Sequence, residues 1–225
     1  MVGVSQTRMR LGGAALLLAG IFFVLFPLIR PFGPLEAVST DAAAVAAELS
    51  SAAWVVSHIL ALLAFVLLPA GLLVLYLVLS DSPVERLAFT GLVLTLLGAG
   101  MLTAVAGVEG FGLRALGMLQ QEGKADVLAG TAALRSGPAT IVFLPGLLFV
   151  AAGGVIYGLV GWRSGSFPRW AAIALAIGLV FWLPLLPQPI RIVDGFLVGV
   201  GAMGVGWELW RMSSRPARTE PRPIS

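Results

Sequence analysis

Residues 52–79 read AAWVVSHILALLAFVLLPAGLLVLYLVL, and this stretch decides the fold. It contains no Asp, Glu, Lys or Arg, and its most polar side chains near the start are Ser57 and His58. An apolar run of about 18 or more residues can cross a hydrocarbon core of roughly 30 Å as a helix. The stretch therefore predicts a membrane-spanning α-helix.

Five further apolar runs meet or nearly meet the same criterion. They are residues 11–29, 87–108, 139–160, 171–186 and 192–210. The run at 171–186 is the shortest and ends among prolines. Together the runs predict an all-α, polytopic transmembrane helical bundle of about six spans, a single domain over residues 1–210. Residues 211–225 are rich in Arg, Pro and Ser, which predicts a disordered basic cytoplasmic tail.

The composition agrees with lipid as the solvent of this chain. Of its 225 residues, 59% are hydrophobic and only 11% are charged, and the mean hydropathy is +1.00. Soluble domains carry about 25% charged residues. The absence of cysteine excludes disulfides, thiol catalysis and thiolate metal sites. The net charge of +3 does not predict a nucleic-acid partner, because no clustered basic face accompanies it.

The basic residues predict the orientation, because cytoplasmic loops carry an excess of Lys and Arg. An inside N-terminus leaves nine basic residues inside and five outside. We therefore expect a multi-pass protein of the bacterial inner membrane with both termini in the cytoplasm. Tryptophans favour both interfaces; we expect Trp162, Trp170, Trp207 and Trp210 at the inner boundary and Trp54 at the outer one.

The first apolar run also follows two arginines, as the core of a secretory signal does. Such a core is usually about 7–15 residues long, whereas this run has about 19. We interpret it as an uncleaved first span. If it were cleaved, five spans would remain, with the N-terminus outside.

Two outer segments, residues 30–51 and 109–137, are long enough to carry structure of their own. The second has the pattern of two short amphipathic helices at the interface. The simpler interpretation, which we prefer, is a connecting loop whose apolar face rests on lipid.

Glycines at helical spacing mark close helix contacts, because lipid gives apolar helices no hydrophobic reason to associate. Gly195 and Gly199 form one such pair, and Gly154 and Gly158 form another. These faces predict tight interfaces, either within one chain or with a second copy or another membrane protein.

Four polar residues near the outer ends of the spans are the candidate ligand-binding residues: His58, Glu109, Arg191 and Asp194. Ionisable groups within membranes are costly and favour a functional hypothesis. One interpretation is an outward-facing pocket that binds a small polar solute or a lipid headgroup. The other, which we prefer, treats each residue locally, with Arg191 and Asp194 paired across one helical turn and Glu109 reaching the headgroups.

No catalytic, cofactor or metal site is expected. The only lysine, Lys124, lies in an outer loop, and the single histidine cannot supply a clustered zinc site. No nucleotide-binding or nucleophile motif follows a strand. We therefore expect a protein that is not an enzyme.

The layout of the whole chain resembles small six-helix bacterial inner-membrane proteins of unknown function. The features that carry the resemblance are Trp54 and His58 opening the second span, two Tyr-loop-Pro hairpins (Tyr76 to Pro83, Tyr157 to Pro168), and residues 187–195 before a Gly-rich last helix. The resemblance implies no activity. We expect a protein that acts by association, as a scaffold or complex subunit in contact with membrane lipids. The alternative is a transporter or binding protein for a small solute or lipid.

Overall fold

The computed structural model describes residues 4–33, 35–136, 138–182 and 187–214. Within these ranges the chain is helical and contains no strand. The helices are α1 (Gln6–Ile29), α2 (Ala42–Ser50), α3 (Ala52–Val78), α4 (Glu85–Gly107), α5 (Arg114–Gln121), α6 (Val127–Arg135), α7 (Pro138–Ser164), α8 (Arg169–Phe181) and α9 (Gln188–Ser213). A π-helical turn, Val108–Leu113, joins α4 to α5.

Five helices in the described ranges are long and apolar enough to cross a membrane: α1, α3, the continuous α4–α5 helix, α7 and α9. This confirms the predicted all-α, membrane-embedded bundle. The predicted span at 171–186 corresponds to α8, which has 13 residues and ends at Phe181. At 1.5 Å per residue, α8 is about 20 Å long. Residues 183–186 of that prediction lie outside the described residues.

Six helices pack side by side in a closed ring in the order α1, α3, α4, α7, α8, α9, and α9 returns to α1. Glycines make the closest approaches possible. A Cβ added at Gly199 would lie 2.6 Å from the carbonyl oxygen of Gly20, and one at Gly206 would lie 2.8 Å from that of Gly13. The predicted glycine interface of the last helix is therefore formed within the chain, between α9 and α1.

The second predicted glycine face is also used within the chain. A Cβ at Gly154 would lie 2.8 Å from Cβ of Leu179, and one at Gly158 would lie 3.0 Å from Cβ of Ala176. Both contacts join α7 to α8, so α8 is a full member of the ring despite its length.

The third span does not end near residue 108 as expected. It continues through the π-helical turn into α5, which packs against α2 and α6 at one end of the ring. We call these three helices the cap. The cap shares a small apolar core with the start of α3 and the π-helical turn, made of Val45, Ala46, Leu49, Trp54, Leu113 and Val127.

The expected connecting loop is therefore replaced by two short helices, α5 and α6, and part of their apolar surface packs on protein. Gly117 allows α5 to approach α2, since a Cβ there would lie 2.9 Å from the carbonyl oxygen of Ala46. Gln121 Nε2 donates a hydrogen bond of 2.8 Å to Ser50 Oγ and fixes the same contact.

The tryptophans gather at both ends of the ring. Trp162, Trp170, Trp207 and Trp210 are all exposed, and they lie at the end of the ring opposite the cap. Trp54 lies at the cap end but is completely buried, so it contacts protein there.

At the C-terminal end, α9 continues to Ser213, three residues into the predicted tail. Residues 215–225 of that prediction lie outside the described residues.

Candidate functional site

A cavity of about 920 Å³ lies at the cap end of the ring. The last turn of α1, the first half of α3, the end of α4 and the starts of α7 and α9 enclose it. All four candidate residues, His58, Glu109, Arg191 and Asp194, line this one cavity. Of the two sequence interpretations, the geometry matches the one that brings them together.

Glu109 is held in place by Arg135, which the sequence did not single out. Arg135 Nε lies 2.8 Å from Glu109 Oε1, and Arg135 Nη2 lies 3.0 Å from Oε2. Such a two-point contact between a guanidinium and a carboxylate fixes both position and orientation. The carboxylate is therefore bound by protein and does not simply extend to the lipid headgroups.

His58 approaches the same carboxylate from α3. Its Nδ1 lies 2.7 Å from the carbonyl oxygen of Trp54, and because that oxygen can only accept, Nδ1 carries the hydrogen. Nε2 consequently faces Glu109, 3.7 Å from Oε2. This separation exceeds a direct hydrogen bond.

The π-helical turn aligns Glu109 with α3. Trp54 Nε1 donates to the carbonyl oxygen of Glu109 at 2.8 Å, and a Cβ at Gly110 would lie 2.7 Å from Cβ of His58. Only glycine fits at position 110 without displacing the histidine. Single π-helical turns occur frequently at functional sites.

Arg30 is the most enclosed cation of the cavity, with only 4% of the residue exposed. Its guanidinium carbon lies 4.8 Å from the ring centre of Trp54 and 5.0 Å from that of Phe32. It forms an ion pair with Glu36 through Nη2. Its other terminal nitrogen, Nη1, is buried and has no hydrogen-bond partner among the described residues.

Arg191 and Asp194 do not form the local ion pair expected from their spacing. Among the ion pairs of the described ranges, none includes Arg191, and its guanidinium instead lies 4.8 Å from the ring centre of Phe32. Asp194 is only 4% exposed. Its Oδ1 finds no hydrogen-bond partner in the described part of the chain.

Glu48 of α2 lies just outside the cavity wall and outside the spanning helices. It accepts a hydrogen bond of 2.8 Å from the backbone N–H of Leu35 through Oε2, while Oε1 is buried. Burial raises the pKa of Glu48 to about 7, and the neighbouring Glu36 adds to the increase. The wall of the cavity near residues 33–36 therefore depends on a carboxyl group that titrates near neutral pH.

The floor of the cavity is aromatic. Trp182 packs with ring-centre distances of 5.6 Å to Phe26 and 5.9 Å to Phe65, and all three line the cavity. Phe23 closes the cluster from below, 5.1 Å from Trp182. The cavity thus has a charged rim and an apolar base.

Sequence reasoning missed Arg30, Glu36, Arg135 and Trp182. Arg30 and Glu36 lie within six residues of each other, so their opposite charges just after a span were a usable signal. The contact between Glu109 and Arg135 spans 26 residues and depends on the packing of the cap. No local pattern indicates it.

No family model matches the chain, and no curated protein and no solved structure is significantly similar to it. The layout resemblance to six-helix inner-membrane proteins therefore stays a prediction.

Proposed function

We propose that this protein binds an amphipathic small molecule or lipid in the cavity at its cap end, as a membrane binding protein or transporter rather than an enzyme. The observation that carries the proposal is the combination of a charged rim with unsatisfied polar atoms and an aromatic floor. Ligand sites are typically concave, mostly apolar and about 300–1,000 Å³ in volume, with a few convergent polar groups. The cavity of about 920 Å³ has these properties.

The unsatisfied atoms favour a ligand over an empty, purely structural cavity. Arg30 Nη1 and Asp194 Oδ1 belong to residues that line it, and both atoms lack partners in the described chain. Leaving a buried polar atom without a hydrogen bond costs about 1–3 kcal/mol, and more for charged groups. A bound polar group offers partners to atoms that the protein leaves unpaired.

The proposed topology has six spans, in which the short helix α8 is counted together with the five long helices. Both termini lie in the cytoplasm of a bacterial inner membrane. The excess of basic residues at the tryptophan end supports this orientation, and the closed ring supports the inclusion of α8. In this orientation the cavity opens toward the outside. Its aromatic floor separates it from the inner half of the bundle, so transport would need a rearrangement of that floor.

The scaffold hypothesis loses its main support. It depends on spans whose centres carry no charge and on glycine faces that could receive a partner, whereas α9 and α7 use those faces against α1 and α8. Association with another copy or another membrane protein stays a prediction that these contacts do not favour.

The test measures thermal unfolding of the purified protein in detergent during titration with lipids and small amphiphiles. We expect at least one to raise the melting temperature of the wild type, and the increase to disappear in Arg191→Ala. Arg86→Ala is the matched control, because Arg86 is exposed at the start of α4 and does not line the cavity. An equal response of both variants, or no stabilising ligand in a broad panel, would contradict the proposal.

A further inference from the structure

The charges of the cavity narrow the class of ligand. Its charged lining residues are three arginines and three carboxylates, together with His58: Arg30, Arg135, Arg191, Glu36, Glu109 and Asp194. Because positive and negative groups are equal in number, a ligand of no net charge leaves the enclosed site balanced. A ligand with net charge would add an uncompensated charge in a region of low dielectric constant, which is unfavourable.

The pairing pattern shows where the two halves of such a ligand would bind. The charge of Arg135 is compensated by Glu109 through two contacts, and one side of Arg30 is held by Glu36. What remains for an anionic group is Arg191 and Nη1 of Arg30. Both guanidinium groups contact the same ring, that of Phe32, and both residues line the cavity, which makes them the two cations available to one anionic group.

One unpaired acceptor lies beside these donors. Asp194 follows Arg191 by three residues on α9, and side chains at this spacing share a helix face with about 5–6 Å between their Cβ atoms. Asp194 Oδ1 is buried without a partner in the described part of the chain, whereas Glu36 accepts a hydrogen bond from the protonated carboxyl group of Glu48. An acceptor oxygen such as that of Asp194 requires a donor that carries hydrogen, as a primary ammonium does.

We infer that the cavity recognises a zwitterionic group in which a phosphate and a primary ammonium are joined by a short linker. Arg191 and Arg30 bind the phosphate, and Asp194 accepts a hydrogen bond from the ammonium. This rests on the proposed function and names its ligand class. The same neutral phosphodiester chemistry occurs in the headgroup of phosphatidylethanolamine and in free glycerophosphoethanolamine. The aromatic floor of Phe26, Phe65 and Trp182 favours the lipid, whose chains it can contact.

The test is a competition among three lipids with identical acyl chains, followed by native mass spectrometry of the delipidated full-length protein. The probes are phosphatidylethanolamine, phosphatidylglycerol, which carries a net negative charge, and phosphatidylcholine, whose ammonium has no hydrogen to donate. We expect the wild type to retain phosphatidylethanolamine about tenfold over each competitor, since one hydrogen bond to a charged group accounts for such a factor.

Two conservative variants locate the selectivity. Asp194→Asn should reduce the preference over phosphatidylcholine to about twofold or less and improve retention of phosphatidylglycerol, because it leaves an excess positive charge. Arg191→Gln should weaken retention of phosphatidylethanolamine itself. Arg86→Gln, outside the cavity, should behave as wild type. Thermal unfolding with glycerophosphoethanolamine alone separates the two sources. Stabilisation equal to that of the lipid would assign the site to the free solute.

The outcomes separate the inference from the proposed function. A preference for phosphatidylglycerol, or an absence of headgroup preference with retention still sensitive to Arg191→Gln, would overturn the zwitterionic assignment and leave a binding cavity in place. Retention that no cavity variant alters would overturn both, since the lipid would then be bound only at the outer surface of the bundle.

Discussion

Replacing Glu109 by alanine tests whether the rim of the cavity is a built structure. The change removes both contacts to Arg135, at 2.8 and 3.0 Å, and the group facing His58. It preserves the hydrogen bond from Trp54, because that bond is accepted by the backbone. Any loss of stability therefore reports on the side chain of Glu109 and not on that backbone contact.

The magnitude follows from the geometry and the exposure of the pair. Hydrogen bonds to charged groups contribute about 1.5–3 kcal/mol, whereas fully exposed ion pairs contribute about 0–1 kcal/mol. The side chains of Glu109 and Arg135 are 22% and 35% exposed, so we expect about 1–2 kcal/mol. For a chain of this size that corresponds to a decrease of about 2–8 °C in melting temperature.

The assay is thermal unfolding in detergent, with Glu122→Ala as the matched control. Glu122 also pairs with a cation, Lys124, at 2.7 Å, but the two side chains are 52% and 67% exposed. The control should change stability by less than about 0.5 kcal/mol. A double-mutant cycle of Glu109→Ala with Arg135→Ala should recover most of the effect as coupling. Equal, small effects of Glu109→Ala and Glu122→Ala would refute the reasoning.

Two further predictions concern packing and pH. Gly199→Ala should lower the melting temperature, because its Cβ would lie 2.6 Å from the carbonyl oxygen of Gly20, and overpacking costs about 1–3 kcal/mol. Gly100→Ala, with no atom within 4 Å of its Cβ, should leave the melting temperature unchanged or raise it. Equal decreases in melting temperature for the two variants would contradict the α1–α9 contact. Since the folded state raises the pKa of Glu48 from 4.5 to about 7, it binds the proton more tightly than the unfolded chain. Stability should therefore decrease as pH rises through that interval. Melting curves recorded between pH 4.5 and 8 should show a smaller decrease in Glu48→Gln than in the wild type. An equal dependence of melting temperature on pH in both proteins would exclude Glu48 as the cause.

The ring of helices could be predicted from the sequence because it follows from apolar runs long enough to span lipid. The prediction failed where protein, not lipid, covers an apolar surface. Tryptophan is a residue typical of the membrane interface, yet Trp54 is surrounded by side chains of the cap. The backbone oxygen of Glu109 accepts the hydrogen bond from its indole N–H. A single sequence shows the amphipathic pattern of the cap but does not show which surface it covers.

The cavity could be predicted only in part. The cost of charge in lipid identified His58, Glu109, Arg191 and Asp194 as unusual positions, and all four line it. Their partners could not be assigned, because Arg135 and Arg30 reach them from segments that fold over the end of the ring. The spacing of Arg191 and Asp194 also predicted an ion pair that the structure does not form. The guanidinium group of Arg191 packs on the ring of Phe32 instead.

Cysteine accessibility tests the central claim, that the cavity at the cap end holds a ligand, most directly. The chain contains no cysteine, so a single Gln188→Cys places one reactive thiol at an exposed position of the cavity wall. Arg86→Cys places one at an exposed position outside it. The account predicts that saturating phosphatidylethanolamine slows maleimide labelling at position 188 several-fold and leaves position 86 unchanged. A labelling rate at position 188 that no stabilising ligand changes would contradict the claim.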